Sequence, residues 1–157
     1  MFSFFKKEKT LTSVANGKII DIVKVPDQVF SQKFLGDGFA VIPVNGEFFS
    51  PASGIITDVT ETLHAYCITT DDGLEILVHV GIDTVELKGK GFKPLVKKGD
   101  RVTQGDAIAS ANLELIKEKG YNTTTVVAIT NHEKMRKFKI LEAASAKAGS
   151  PALTYKI

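Results

Sequence analysis

The sequence predicts an all-β protein, a compact antiparallel β-sandwich or barrel-sandwich hybrid with one or two short helical turns. Short runs rich in β-branched and aromatic residues alternate with Gly, Pro, Asn and Asp along the chain, which is typical of sandwiches and barrels. No long amphipathic helical pattern interrupts these runs. The length of 157 residues suits one domain with a substantial core.

Composition excludes several classes of protein. The chain has 20 basic and 18 acidic residues, a net charge of +2, so we expect no nucleic-acid partner and no anionic membrane as the main partner. The single cysteine, Cys67, excludes an internal disulfide and favours a reducing compartment. No apolar run approaches the roughly 20 residues of a membrane span, and no signal peptide is visible. We therefore expect a cytoplasmic protein.

Residues 1–13 are predicted to be a flexible tail, and residues 14–157 to be a single domain. The tail places Phe2, Phe4 and Phe5 before three nearby lysines. One interpretation is a passive terminus. The other is a weak interfacial anchor, which allows at most weak peripheral contact with a membrane.

The remaining elements follow from alternation and turn residues. Residues 27–34 are a short helix or an irregular loop, residues 113–119 a short helix, residues 131–139 a helical turn, and residues 143–148 a loop. The pair Asn45-Gly46 predicts a type I′ hairpin between the strands on either side of it. The predicted strands cover residues 17–25, 39–44, 47–50, 55–60, 61–69, 73–85, 123–130 and 153–157.

The strand at residues 73–85 is almost wholly apolar, yet it contains His79. Alternation places His79 on one face with Leu77 and Gly81, and the glycine leaves space beside the imidazole. The preceding strand contains His64, and the residues between the two strands predict a hairpin. Two histidines converging in one hairpin favour a functional site over a satisfied core residue.

The length of this hairpin loop decides whether the two histidines share a face. A loop of Asp71-Asp72 places His64 directly opposite His79, and a loop of Asp72-Gly73 places it one diagonal step away. Either loop leaves their β-carbons roughly 5 to 8 Å apart. A three-residue loop would place the two histidines on opposite faces.

Residues 73–85, Gly-Leu-Glu-Ile-Leu-Val-His-Val-Gly-Ile-Asp-Thr-Val, resemble at every defining position the active-site signature of the glucose-type IIA components of the bacterial phosphoenolpyruvate-dependent sugar phosphotransferase system. The resemblance continues through residues 86–92, Glu-Leu-Lys-Gly-Lys-Gly-Phe. Residues 61–65, Glu-Thr-Leu-His-Ala, resemble the second-histidine segment of the same family. The family implies a compact antiparallel sandwich with a shallow active-site face.

The resemblance also implies a role for each site residue. His79 is the phosphorylated residue, reacting through Nε2, and the carbonyl of Gly81 orients it. His64 donates a hydrogen bond to the phosphoryl oxygens, and Thr62 orients His64. Neutral imidazole is a competent nucleophile near pH 7 because its ordinary pKa is about 6.5. The resemblance therefore implies a phosphotransferase component, which requires no cofactor. His132 lies in a charged stretch and is predicted to be a solvated residue.

The implied donor is the small histidine-containing phosphocarrier protein, HPr, and the implied acceptor is a cysteine on the IIB domain of a glucose-family sugar permease. Both partners are expected to dock over one surface around His79. Thr60 and Leu77 stand where the best-known members have aromatic residues. The residues predicted to contact partners are Phe30, Leu35, Val41, Leu77, Val80 and Val85.

Other functions remain open from the sequence. Residues 96–106 also resemble the turn of lipoyl and biotinyl carrier domains and of some zinc endopeptidases, but that turn indicates architecture rather than function. His64 and His79 supply only two zinc ligands, so a zinc site would have to be shared with a partner protein. A regulatory protein that docks other enzymes or transporters in its unphosphorylated form would use the same surface.

Overall fold

The computed structural model, which describes residues 7–157, contains fourteen β-strands. Two short α-helices, α1 (Gln28–Ser31) and α2 (Leu113–Glu118), lie among them, with 3₁₀ helices at Ile22–Lys24, Thr84–Leu87 and His132–Lys134. The strands are β1 (Lys9–Thr12), β2 (Gly17–Asp21), β3 (Asp37–Pro43), β4 (Glu47–Phe49), β5 (Gly54–Val59), β6 (Ala65–Thr70), β7 (Glu75–His79), β8 (Phe92–Pro94), β9 (Arg101–Val102), β10 (Ala107–Ala111), β11 (Thr125–Ile129), β12 (Arg136–Ile140), β13 (Ala143–Ala146) and β14 (Pro151–Lys156).

The strands form one large sheet and two small ones. The large sheet has the order β13-β2-β3-β11-β7-β6-β5-β9, and the small sheets have the orders β1-β14-β12 and β4-β10-β8. Every strand pair recorded among them is antiparallel. The predicted antiparallel β-sandwich is therefore confirmed.

The main core lies between the large sheet and the two small sheets. Phe39 and Val78 from the large sheet are buried there with Phe48 of β4, Ile108 of β10 and Leu153 of β14. Alternation along each strand sends these side chains to one face. Removing this apolar surface from water is the main driving force for closing the sandwich.

A smaller apolar cluster covers part of the outer face of the large sheet. Phe30 of α1 and Ile22 pack there on Ala40, Val126 and Ala128. Asp27 begins α1, because its side chain accepts a hydrogen bond from the Val29 N–H at 2.8 Å. The helix α1 thereby packs over β3 and β11, and its Phe30 side chain contacts His79.

Several sequence predictions need correction at the ends of the chain. Residues 9–12 are not part of a flexible tail, because β1 pairs with β14 and Leu11 is fully buried. The aromatic residues of the predicted tail, residues 2–5, lie outside the described residues. Residues 143–146, predicted as loop, form β13 and pair with β2.

The predicted Asn45-Gly46 hairpin is wrong. Strand β3 pairs with β2 and β11, whereas β4 pairs with β10, so the dipeptide crosses from one sheet to another. Gly46 is needed there for close approach, since a β-carbon would lie 1.8 Å from the carbonyl oxygen of Ala111. A turn signal identifies a reversal of the chain but not the sheet that the chain enters next.

Asp72, in the loop between β6 and β7, connects the β6–β7 hairpin to β1 and β14. Its carboxylate accepts hydrogen bonds from the Thr70 hydroxyl, from the Tyr155 hydroxyl at 2.5 Å and from the Lys9 ammonium at 3.1 Å. These bonds hold the pKa of Asp72 below its usual range against the opposing effect of burial. Next to it, Arg101 makes two hydrogen bonds to the Asp71 carboxylate.

Candidate active site

His79 is the last residue of β7, between β6 and β11. Its Nδ1 lies 2.7 Å from the carbonyl oxygen of Gly81. A carbonyl can only accept a hydrogen bond, so Nδ1 carries the proton of the neutral ring. The Nε2 lone pair is consequently free, which makes Nε2 the nucleophilic atom of this imidazole.

The Gly81 carbonyl is itself held in place by the loop after β7. Gly81 has a φ of +79°, and a β-carbon would lie 2.4 Å from Cγ2 of Thr84. The Thr84 hydroxyl donates to the Val80 carbonyl at 2.5 Å, and the Ile82 N–H donates to the Asn122 carbonyl at 2.9 Å. Only glycine fits this position without displacing a neighbour.

His64 lies immediately before β6, at the end of a tight turn. Leu63, the residue before it, has a φ of +62°, which reverses the chain at that point. The Tyr66 hydroxyl donates to the Leu63 carbonyl at 3.2 Å, and the Val80 N–H donates to the His64 carbonyl at 2.7 Å. The main chain of His64 is thus fixed to the strand that carries His79.

This hairpin has the register of the three-residue loop, the alternative expected to separate the two histidines, yet the two histidines meet. Ala65 pairs with His79, and Thr69 with Glu75, so the turn that closes the hairpin is longer than the predicted two-residue loops. The strand β6 begins only at Ala65, so strict alternation does not apply to His64. The turn at Leu63 and a side-chain hydrogen bond orient the ring instead.

That hydrogen bond comes from Thr62, whose Oγ1 lies 2.8 Å from Nδ1 of His64. When the hydroxyl donates to Nδ1, the proton of the neutral imidazole resides on Nε2. The predicted contact between Thr62 and His64 is therefore present. This contact leaves His64 with its N–H donor at Nε2, the ring nitrogen that Thr62 does not contact.

The two imidazole rings form an edge-to-face pair. Their centroids are 4.7 Å apart and their planes are inclined by 83°. The ring of Phe30 also packs on the His79 imidazole, and the centroids of these two rings are 5.0 Å apart. His64 is 6% exposed, whereas His79 is half-buried and remains open to a partner.

Burial keeps both histidines neutral near pH 7. It lowers the pKa of His64 from 6.5 to about 4, and the neighbouring His79 adds to the decrease. Burial also lowers the pKa of His79, although the bond to Gly81 and the carboxylates of Asp27 and Asp83 oppose part of that effect. One neutral ring can then attack while the other donates a hydrogen bond.

The predicted partner surface is only partly correct. Val41 and Val80 belong to the main core and are at most 1% exposed, so neither can contact a partner. Alternation shows which side chains lie on the same face of a strand, but it does not show which face is turned towards the core. Phe30 is 4% exposed and supports His79 rather than forming surface.

The other predicted contact residues are accessible. Leu35 is 40% exposed, Val85 is 45% exposed, and Leu77 is half-buried beside His79 on the same face. Phe34, which the sequence did not single out, is 69% exposed just after α1. Exposed apolar side chains of this kind are suited to docking a protein.

Sequence reasoning missed Thr84 and Asn122, which fix the Gly81 loop. Thr84 lies within the signature segment, but nothing in the pattern shows what its hydroxyl contacts. Asn122 is distant in sequence and acts through its main-chain carbonyl, which leaves no signal in the residue type.

The described part of the chain contains neither a complete metal site nor a membrane-spanning helix. Within residues 7–157, no group of three or more His, Cys, Asp or Glu side chains is placed to hold a metal ion. Over the same residues, no helix is long and apolar enough to cross a membrane.

The fold and the site together define a class of protein. It is an antiparallel β-sandwich that carries a histidine with an unprotonated Nε2 beside a second imidazole. The family model of the phosphoenolpyruvate-dependent sugar phosphotransferase system, EIIA 1, matches residues 9–135. The chain therefore belongs to this EIIA family of the sugar phosphotransferase system.

Relatives agree in sequence and in structure. The chain is 43% identical over 147 residues to the "PTS system glucose-specific EIIA component" of Halalkalibacterium halodurans, covering 94% of this chain and 85% of that protein. It is 44% identical over 136 residues to the "PTS system glucose-specific EIICBA component" of Streptococcus pneumoniae, covering 87% of this chain and 19% of that protein. The solved structure of glucose permease IIA from Mycoplasma capricolum superposes with a TM-score of 0.87 at 32% identity, covering 98% of this chain and 99% of that one.

Proposed function

We propose that His79 accepts a phosphoryl group from phospho-HPr and passes it to a cysteine of a glucose-family IIB domain during sugar uptake, in the cytoplasm. The observation that carries this proposal is the 2.7 Å bond between Nδ1 of His79 and the Gly81 carbonyl. That bond leaves Nε2 unprotonated beside a second imidazole. The chain is thus a phosphocarrier, and the reaction requires no cofactor.

The first transfer forms one nitrogen–phosphorus bond and breaks another. The Nε2 lone pair of His79 attacks the phosphorus of the donor phosphohistidine, and the electrons of the donor's N–P bond return to the donor ring. The proton on Nδ1 of His79 stays in place. As the attacking ring of His79 becomes positively charged, the Gly81 carbonyl stabilises it through a charge-assisted hydrogen bond.

The second transfer reverses this electron flow. A thiolate of the acceptor attacks the phosphorus, and the bond to Nε2 of His79 breaks with its electrons returning to that nitrogen. Charge spreads over the equatorial oxygens in the transition state, where a fixed N–H donor is most effective. The Nε2–H of His64 supplies that donor, held by Thr62 at 2.8 Å from Nδ1.

The relatives support the choice of acceptor and sugar. The Streptococcus pneumoniae relative is named as a glucose-specific EIICBA component, which combines an A unit with B and C units in one chain. A second relative from Halalkalibacterium halodurans, 37% identical, is named as a beta-glucoside-specific EIIBCA component. We propose a glucose-type IIB domain because the more similar of these two relatives carries the glucose name.

The test is mass spectrometry of the protein after incubation with phosphoenolpyruvate and the two general phosphotransferase proteins. The native chain should gain the mass of one phosphoryl group, and the gain should be lost in acid because N–P bonds are labile. His79→Gln should gain none, and His132→Gln, a matched control at the third histidine, should behave as the native chain. An unmodified native chain, or a phosphorylated His79→Gln protein, would refute the proposal.

His64 should matter at the second step. The amide of His64→Gln retains an N–H donor, so this variant should still accept the phosphoryl group, but it lacks the ring nitrogen through which Thr62 holds that donor in position. Transfer to the IIB cysteine should fall about 10²- to 10³-fold, the usual cost of losing one positioned transition-state donor. Transfer at the native rate would show that His64 has no such role.

A further inference from the structure

Thr60 closes the turn that presents His64. Its N–H donates to the Ala65 carbonyl at 3.1 Å, and its own carbonyl accepts from the Leu63 N–H at 2.9 Å. In a regular hairpin the Ala65 N–H would donate back to the Thr60 carbonyl. Here it donates to the Thr60 hydroxyl oxygen instead, at 3.1 Å. The side chain of Thr60 has replaced a main-chain acceptor.

The same hydroxyl also borders the ring of His64. Oγ1 of Thr60 lies 3.4 Å from Nδ1 of His64 and 3.4 Å from the Ala65 carbonyl oxygen. Thr62 approaches the same Nδ1 at 2.8 Å. Two hydroxyl groups of one turn thus lie beside the nitrogen that must stay unprotonated if Nε2 is to be the donor.

We propose that Thr60 is a positioning residue for His64, fixing both the turn that carries this imidazole and the tautomer with the proton on Nε2. The catalytic consequence rests on the proposed function, but the effect on the ring does not. The aromatic residue that the best-known members of the family have at this position offers no acceptor to the Ala65 N–H. The arrangement therefore depends on the threonine that this chain has at position 60.

Thr60→Val is the informative change, because valine has nearly the same shape and lacks the hydroxyl. It leaves the N–H of the buried Ala65 without its acceptor, and a buried donor without a partner is unfavourable. Thr60→Ser restores the acceptor and should restore the native behaviour. Thr57→Val is the matched control, because Thr57 is an exposed residue of β5, the strand that ends immediately before Thr60.

The direct readout is nitrogen NMR of the unphosphorylated protein with labelled imidazoles, which shows which ring nitrogen carries the proton. In the native chain and in Thr60→Ser, Nδ1 of His64 should be unprotonated. In Thr60→Val the His64 signals should shift towards a mixture of both tautomers, while Thr57→Val leaves them unchanged. A merely structural role for Thr60 would not alter the tautomer.

Phosphoryl transfer provides the second readout. Thr60→Val should slow transfer from His79 to the IIB cysteine about 10-fold, the equivalent of one ordinary hydrogen bond, with a much smaller effect on acceptance from HPr. Native signals and native transfer in Thr60→Val would overturn the proposal. So would a native chain with the proton on Nδ1 of His64, a result that needs no variant. Absence of phosphorylation in the native chain would refute the proposed function alone.

Discussion

Replacing Gly81 by alanine tests whether the loop after β7 controls the reactive histidine. The change has two costs that the structure separates. A φ of +79° is unfavourable for alanine by about 1–2 kcal/mol. The added β-carbon would also lie 2.4 Å from Cγ2 of Thr84, which is fully buried and held by its hydroxyl. Overpacking of this kind costs about 1–3 kcal/mol, so the free energy of unfolding should fall by about 2–5 kcal/mol.

Gly99→Ala is the matched control for Gly81→Ala. Gly99 has a φ of +97°, yet a β-carbon there would meet nothing within 4 Å. This variant should therefore lose only the backbone contribution of about 1–2 kcal/mol. Urea denaturation of both variants, with the midpoint and slope compared with the native chain, measures the difference.

The Gly81 variant should also react more slowly. Displacing its carbonyl weakens a hydrogen bond that becomes charge-assisted on phosphorylation, worth about 1.5–3 kcal/mol. The rate at which His79 accepts a phosphoryl group should then fall roughly 10- to 100-fold, whereas Gly99→Ala keeps the native rate. If the two variants were equally stable and equally fast, the reasoning about this loop would be wrong.

Further predictions concern acid stability, the Asp72 network, zinc and the tail. The pKa of His64 is about 4 in the folded chain and ordinarily 6.5, so between these pH values the unfolded state binds more protons than the folded state. The free energy of unfolding should therefore decrease by about 3 kcal/mol from pH 6.5 to pH 4. A parallel denaturation series on His64→Gln should lack that part of the decrease. Tyr155→Phe removes the 2.5 Å bond to Asp72 and should lower the free energy of unfolding by about 1–3 kcal/mol, whereas an unchanged urea midpoint would show that this network does not stabilise the chain. Calorimetry should find only weak zinc binding by the isolated chain, because His64 and His79 supply two ligands and a structural or catalytic site needs at least three; tight binding would revive the peptidase alternative. Deleting residues 1–6 should reduce co-sedimentation with anionic liposomes if the phenylalanines act as an anchor, and equal partitioning of both forms would indicate a passive terminus.

Local features of the fold could be predicted from the sequence. The helix α2 was expected at residues 113–119 and is present at Leu113–Glu118, where the Asn112 side chain caps its start. The strand carrying His79 and the hairpin with its neighbour were also expected, because alternation and turn residues act over a few positions. The architecture followed from many such local signals.

Pairings between distant segments could not be predicted. Strand β1 pairs with β14, and β13 pairs with β2, across more than a hundred residues of chain. A pattern of alternating residues shows that a strand has two faces, but it does not identify the strand beside it. This is why the sequence predicts a tail for residues 9–12 and a loop for residues 143–146.

The site was predictable in its residues but not in its geometry. The resemblance placed Thr62, Gly81 and both histidines, and the structure brings these residues together. The positive φ of Leu63 carries no mark in the sequence, because leucine rarely adopts it. That turn, with Thr60 beside it, brings His64 to His79 in a hairpin whose register alone would have separated them.

The central claim is that Nε2 of His79 carries the phosphoryl group because Nδ1 donates to the Gly81 carbonyl. Nitrogen and phosphorus NMR of the phosphorylated, isotope-labelled protein tests this directly, since a phosphorus–nitrogen coupling identifies the bonded atom. We predict one coupling, to Nε2 of His79, with Nδ1 of the same ring still protonated. A phosphoryl group on Nδ1 of His79, or on either of the other two histidines, would contradict the account.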